Sequence, residues 1–178
     1  MSFFDYIESQ PSRVGEHIDL EVNINSLTFT AEYEVYHIEG NANFVGNWLN
    51  DQACWLTCNK GPLVFIYPGR GWEFARISTP CNLKIIQAPN YAKCNDINLL
   101  LDPISYAGTI PLIIMGSTAG NTGAKQYKYV KIYDGDTLIR DLIPAKRISD
   151  GWVGMYCRVG NKFYGGTKAD SFLAGNYT

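Results

Sequence analysis

From His17 to Ile24 the chain alternates without a break. Ile18, Leu20, Val22 and Ile24 fall on one side, and His17, Asp19, Glu21 and Asn23 on the other. Successive side chains of an extended backbone point to opposite faces, so this pattern buries its apolar half only as a strand lying against a core. After Asn25-Ser26 the alternation resumes over a longer stretch, with Leu27, Phe29, Ala31, Tyr33 and Val35 opposed to Thr28, Thr30, Glu32, Glu34 and Tyr36. Two such runs joined by a short polar turn predict a β-hairpin.

Short apolar or aromatic runs follow at 44–49, 53–57, 63–67, 72–77, 83–87, 97–101 and 112–115, each bounded by Gly, Pro, Asn or Asp. Strands this short, regularly spaced and rich in β-branched and aromatic residues, predict an all-β, antiparallel two-sheet sandwich. A single helical turn is the most that 95–101 would hold. Further on, Tyr127–Asp134 and Thr137–Ile143 flank Asp134-Gly135-Asp136, where glycine supplies the positive φ of a tight hairpin turn. A second C-terminal hairpin is expected between Trp152–Arg158 and Lys162–Tyr164, closed at Gly160-Asn161. No linker, repeat or low-complexity segment divides the chain, so residues 1–178 read as one domain.

Composition narrows the partners. With 178 residues, 46% of them hydrophobic, the chain is long enough to hide roughly 70% of its unfolded surface and needs neither disulfide nor metal to fold. Lys and Arg number 15 against 17 Asp and Glu, with no basic stripe to neutralise phosphates, which argues against nucleic acid. Neither a basic, apolar leader nor an apolar run long enough to cross a membrane is present, so a folded, non-membrane protein without a signal peptide is expected. The five cysteines are odd in number and irregular in spacing, and read as free or buried thiols in a reducing compartment.

Two segments resemble a known family. Tyr6-Ile7-Glu8-Ser9, followed by His17-Ile18-Asp19, is similar to the opening of concanavalin A-like, laminin-G-like jelly-roll domains of phage and gut-bacterial proteins. The run from Val130 to Arg147, with Tyr133-Asp134-Gly135 and Ile143-Pro144 at its heart, resembles their late strand pair. Gly154-Met155-Tyr156 and Asn161-Lys162-Phe163-Tyr164 resemble the close of that domain. Ala145 stands where the family has Cys, and Cys157 where it has Asp; both positions read as structural. The resemblance implies a concanavalin A-like jelly roll and leaves the function open, since one fold carries many sites.

Glycoside hydrolysis, which members of this fold perform with paired carboxylates, finds no match in Glu32, Glu34 and Glu39, whose spacing departs from the acid motif. Glu32 and Glu34 read as a solvated strand face. His17 reads as a strand end and His37 as a packed core-edge histidine, so no catalytic pairing is expected and the chain reads as a non-enzyme. Sugar binding asks for aromatic plates beside amides and carboxylates on rim loops. The chain carries 12 Tyr, 8 Phe and 4 Trp, and Trp48, Trp72, Tyr91 and Arg70 stand next to polar loop residues as candidate ligand contacts. A sandwich core uses aromatics just as heavily. The resemblance also raises calcium as a cofactor, held by loop oxygens at Asp51, with Asn47 and Asn50, or at Asp96, with Asn95 and Asn98; ordinary Asx-turn chemistry would produce the same loops.

The reading this supports is a non-enzymatic phage virion protein, as a fibre, spike or head decoration. It would be assembled in the host cytoplasm and bind cell-surface or mucus glycans through a lectin-like jelly roll. Display in many copies would add avidity, and open sheet edges suit side-by-side packing, so a homo-oligomer is expected. The alternative is a purely structural capsid or tail protein that binds other virion proteins and no sugar.

Overall fold

The computed structural model describes residues 1–9, 16–24, 29–49, 52–58, 62–67, 70–88, 91–100, 110–116 and 122–177. Among them there is no helix, and sixteen strands carry the fold. The N-terminal half holds β1 (Ser2–Phe3), β2 (Tyr6–Ser9), β3 (Ile18–Ile24), β4 (Phe29–Leu49), β5 (Gln52–Cys58), β6 (Pro62–Tyr67), β7 (Arg70–Arg76) and β8 (Cys81–Ala88). The remainder holds β9 (Tyr91–Cys94), β10 (Ile97–Leu100), β11 (Ile110–Ile114), β12 (Thr122–Asp134), β13 (Thr137–Lys146), β14 (Val153–Cys157), β15 (Lys162–Gly165) and β16 (Phe172–Gly175). All the described strand pairings are antiparallel, and the architecture is an all-β sandwich.

One strand organises it. β4 is 21 residues long; on one side it pairs with β8 up to His37, and on the other with β12 up to Ala42. Its second half pairs with β5, and Val45 meets Ile114 of β11. The change of partners falls at Gly40, whose φ of 78° favours a residue without Cβ. A strand that bends in this way passes from one layer to the other and makes a corner of the sandwich.

β12 is its companion. It runs beside β4 from Thr122 to Asp134, while its far edge is shared between β2 at 125–127 and β13 at 130–134. The sheet therefore forks: β2 carries β16, and β13 carries both β1 and the β14–β15 hairpin. β3 and β11 form the opposing layer. Between the layers lie Ala31, Tyr33 and Val35 of β4, Leu83 and Ile85 of β8, Tyr127, Val130 and Ile132 of β12, and, from the other side, Ile18, Leu20, Leu112 and Ile114. The two fully buried phenols among these, Tyr33 and Tyr127, are satisfied, Tyr33 donating to Gln87 Oε1 at 3.1 Å and Tyr127 to the Phe44 carbonyl at 2.5 Å.

Two sequence expectations change. β3 and β4 do not form the expected hairpin: β3 pairs with β11, while β4 pairs with β5, β8, β11 and β12. Alternation looks the same whether two strands are neighbours in one sheet or face each other across a core, so the pattern alone does not choose. The run at 44–49 is the far half of β4 and not a separate strand. The run from 97 is strand, as its apolar pattern predicts: Ile97–Leu100 forms β10, and residues 95–96 are the turn of the β9–β10 hairpin.

Both C-terminal hairpins form as the turn residues require. Gly135 has φ 56° between Asp134 and Thr137, which pair, and Gly160 and Asn161 have φ 80° and 54°. In the link from β13 to β14, Arg147 bonds Asp150 at 2.6 Å and places its guanidinium 5.2 Å from the Trp152 ring and 5.1 Å from the Phe163 ring. Gly154 pairs with Gly165 beside this stack, and a Cβ there would overlap the Tyr164 carbonyl oxygen and meet the Phe163 ring at 2.8 Å. Replacing Gly154 by Ala is therefore expected to lower stability by about 2 kcal/mol or more, because backbone must move to admit the methyl group; urea denaturation of Gly154→Ala measures it.

Candidate functional site

The face of the main sheet turned away from the core is built from the polar half of each alternating strand. Across it, Asn82 of β8, Tyr36 of β4, Gln126 of β12 and Glu8 of β2 pair in one row. Beyond the C-terminal end of β16, Tyr177 returns over this face. Its amide donates to Asp5 Oδ2 at 2.9 Å, its ring lies 5.2 Å from that of Tyr6, and Lys128 Nζ sits 5.3 Å from its centroid. The result is an open groove of about 630 Å3 lined by Tyr6, Tyr36, Tyr177, Asn82, Asn176, Gln126 and Lys128. Three phenol rings and three carboxamides thus converge on one concavity.

A second groove, of about 410 Å3, lies further along the same face between Glu32, Lys84, Ile86, Lys93, Asn95, Asp96 and Tyr129. Glu34 divides the two, bonding Lys128 at 2.5 Å and lying 3.9 Å from Lys84. The Glu34 carboxylate, accepting this hydrogen bond, raises the Lys128 amine above its ordinary value. Tyr129 donates to Glu32 Oε1 at 3.2 Å, and burial with the neighbouring carboxylate pushes its phenol up to about 12. Both strand carboxylates are therefore committed to partners on this face, as their alternation with Ala31, Tyr33 and Val35 requires.

Directly beneath the floor row runs another. Cys81, His37 and Lys125, each one residue along from Asn82, Tyr36 and Gln126, pair across the same three strands. His37 and Lys125 are completely buried. Neither nitrogen of His37 makes a hydrogen bond of normal geometry, although the backbone of Ala124 and Gly40 lies close enough to favour its charged form; the ring packs edge-on against Phe44 at 5.6 Å. Lys125 Nζ donates to the Gly123 carbonyl at 3.3 Å, which also accepts from Ser9 Oγ at 2.9 Å. Burial lowers the His37 imidazole, the Lys125 charge lowers it further, and burial holds the Lys125 amine down at about 7.

Of the residues singled out in the sequence, Tyr91 and Asp96 are described with their side chains, and both lie on the β9–β10 hairpin. Tyr91 on β9 donates its hydroxyl to Asn98 Oδ1 at 2.9 Å and lines neither groove. Asp96 is exposed at the β9–β10 turn and lines the second groove. Beside it, Asn95 Oδ1 accepts from the Lys84 amide at 2.9 Å, so the loop amides serve the turn. Among the described residues no three His, Cys, Asp or Glu side chains gather as a metal site. Asp51 lies outside the described residues, as do the side chains of Trp48, Arg70 and Trp72, whose backbones run in β4 and β7.

Sequence reasoning passed over Tyr6, Tyr36, Tyr177, Asn82, Asn176 and Gln126. Tyr36 was legible as the aromatic among the polar positions Thr30, Glu32, Glu34 and Tyr36 of β4, whereas Tyr177 joins it only through the pairing of the chain ends. Lys125 was hidden by irregularities of β12 on either side of Ala124, which put Ala124 and Lys125 both inward. No protein-family model matches the chain, and no curated protein matches it.

The unfolded chain takes up a proton at Lys125 below its ordinary value of 10.5, and the fold holds that proton off until about 7. The unfolded state thus binds more protons across the lower part of this interval, and stability rises with pH from about 7 to about 9, above which the Cys94 thiol, pushed up to about 12 by burial, ionises first in the unfolded chain and opposes the rise. Lys125→Met is expected to flatten that slope and to raise stability at neutral pH by up to about 4 kcal/mol, at about 1.4 kcal/mol per pK unit. Urea denaturation of both proteins across that range checks it, and an equal slope in the variant would assign the dependence elsewhere.

Proposed function

We propose that this protein is a non-enzymatic binding domain that holds a neutral glycan in the tyrosine-lined groove. The observation that carries this reading is the convergence of Tyr6, Tyr36 and Tyr177 with Asn82, Asn176 and Gln126. A pyranose ring offers an apolar C–H face and a rim of hydroxyls. Phenol rings cover the first, and carboxamides both donate to and accept from the second. Lys128, the one cation lining the groove among the described residues, is already paired with Glu34, and Asp5 and Glu8 stand nearby, which favours an uncharged sugar over an acidic one. The groove is open and shallow, so a single site would bind weakly and repeated display would strengthen it.

The antiparallel sandwich is compatible with the concanavalin A-like jelly roll that the two end segments resemble. On that resemblance the domain is a phage virion component, displayed as a fibre, spike or head decoration after assembly in the host cytoplasm, and present in several copies. A purely structural virion role is the second reading. It is favoured by the apolar side chains on the short strand β10, where Leu100 is 80% exposed and Ile97 46%.

Multivalent display of the purified protein on a glycan array, with calcium and with chelator, is expected to give signals for neutral glycans. Tyr36→Ala and Tyr177→Ala should each weaken binding about tenfold, ~1.4 kcal/mol, while Tyr91→Ala leaves it unchanged. Silence under multivalent display would move the assignment to the structural role. Loss with chelator would place a cation beside the sugar, and Asp96→Ala would then test its ligand.

A further inference from the structure

The row beneath the groove has no structural need to be ionisable. Side chains at His37 and Lys125 fill the interior where Phe or Met would pack without a desolvation penalty. Paired residues of an antiparallel ladder hold their Cβ atoms about 5 Å apart, so these two basic groups sit side by side. The ionisable groups facing them are few. β8 brings the Cys81 thiol opposite His37. β2 brings only the Ser9 hydroxyl near Lys125, and the Tyr127 hydroxyl on β12 is taken by the Phe44 carbonyl. Among the described residues no carboxylate pairs with either base.

We propose that the buried His37–Lys125 pair is an acid-operated latch on the groove, loosening the floor row Asn82–Tyr36–Gln126 and releasing the bound ligand as the pH falls. The coupling is covalent as well as spatial. Each floor residue is the chain neighbour of a member of the buried row on the same strand, so no strand can admit water or counter-ions to His37 and Lys125 without displacing its own contribution to the groove. The bend at Gly40 and the irregular pairing beside Ala124 give β4 and β12 a place to yield.

The direction follows from proton counting. In the closed form burial and the Lys125 charge make His37 take its proton less readily than a free imidazole, and Lys125 becomes charged only below about 7. An opened form, with both groups hydrated, binds both protons near their ordinary values, so acid populates it. The latch rests on the buried row alone; that its cargo is a glycan rests on the function proposed above.

The test separates the two. Amide hydrogen exchange is followed at Asn82, Tyr36 and Gln126, with Ile132 as the core reference, at about pH 8 and about pH 5, corrected for the intrinsic rates. Binding of cellohexaose, mannohexaose and laminarihexaose is measured at the same two values. The floor amides are expected to gain on the order of tenfold in exchange relative to Ile132 in acid, one pK unit of differential protonation. Groove affinity should fall by a similar factor. His37→Gln and Lys125→Met should each blunt the response. Floor amides that keep pace with Ile132 at both pH values in the native protein overturn the latch, a measurement that needs no variant to fold. A response that persists unchanged in both variants overturns it too. Acid-dependent exchange abolished by the variants, with no hexaose bound at either pH, upholds the latch and removes the neutral-glycan cargo.

Discussion

The β4–β12 ladder is the constraint on which the rest of the molecule depends. Eleven register pairs, from Asp134↔Phe29 to Thr122↔Ala42, tie together the two longest strands. Everything else attaches to one of their edges: β8, β9 and β10 to β4, the two arms of the fork to β12, and the second layer through the bent half of β4. Because a strand shows opposite faces on alternate residues, this ladder has to supply both the core and the outer surface of the sheet. Tyr33, Val35, Tyr127 and Val130 do the first, and Tyr36, Gln126 and Lys128 the second.

Charge is handled differently on the two faces. Outside, Glu34 lies between Lys84 and Lys128, and Tyr129 gives its hydroxyl to Glu32, so acids and bases neutralise one another where water also screens them. Inside, Lys125 has a carbonyl oxygen and His37 has no hydrogen bond. An exposed pair of this kind adds little to stability, whereas a buried base without a counter-charge weighs heavily on its own protonation. The interior row is therefore the electrostatically sensitive part of the ladder, and it lies one residue away from the groove.

Local pattern carried far in this chain. The alternation of β3 and of the first half of β4, the Asp134-Gly135 and Gly160-Asn161 turns, and the outward placement of Glu32 and Glu34 all follow from side-chain period and turn chemistry, and all are present. His37 is buried, as its place on the Phe29–Tyr33–Val35 face suggested. Pairing was less legible. The partner of β3 is contributed by β11, whose Ile110 and Ile114 pair with Ile24 and Ile18, and nothing in the alternation distinguishes that choice from a hairpin with β4. The candidate site was less legible still: of the residues beside polar loops, Tyr91 is bonded to its own hairpin and the side chains of Trp48, Arg70 and Trp72 lie outside the described residues, while the groove draws its rings from β2, β4 and the chain end.

Local sequence dictates that this chain folds as strands, which face of β3 and of the first half of β4 is buried, and where the tight turns of the C-terminal hairpins fall. These properties depend on residues within a few positions of one another, where period and φ preference act directly. Tertiary structure alone decided which strands meet, that Tyr6 and Tyr177 come from opposite ends of the chain to flank one groove, and that irregular pairing turns Lys125 inward beside His37. Those outcomes depend on packing two layers around a shared bent strand, and packing energy belongs to surfaces brought together in space, whatever their distance along the chain.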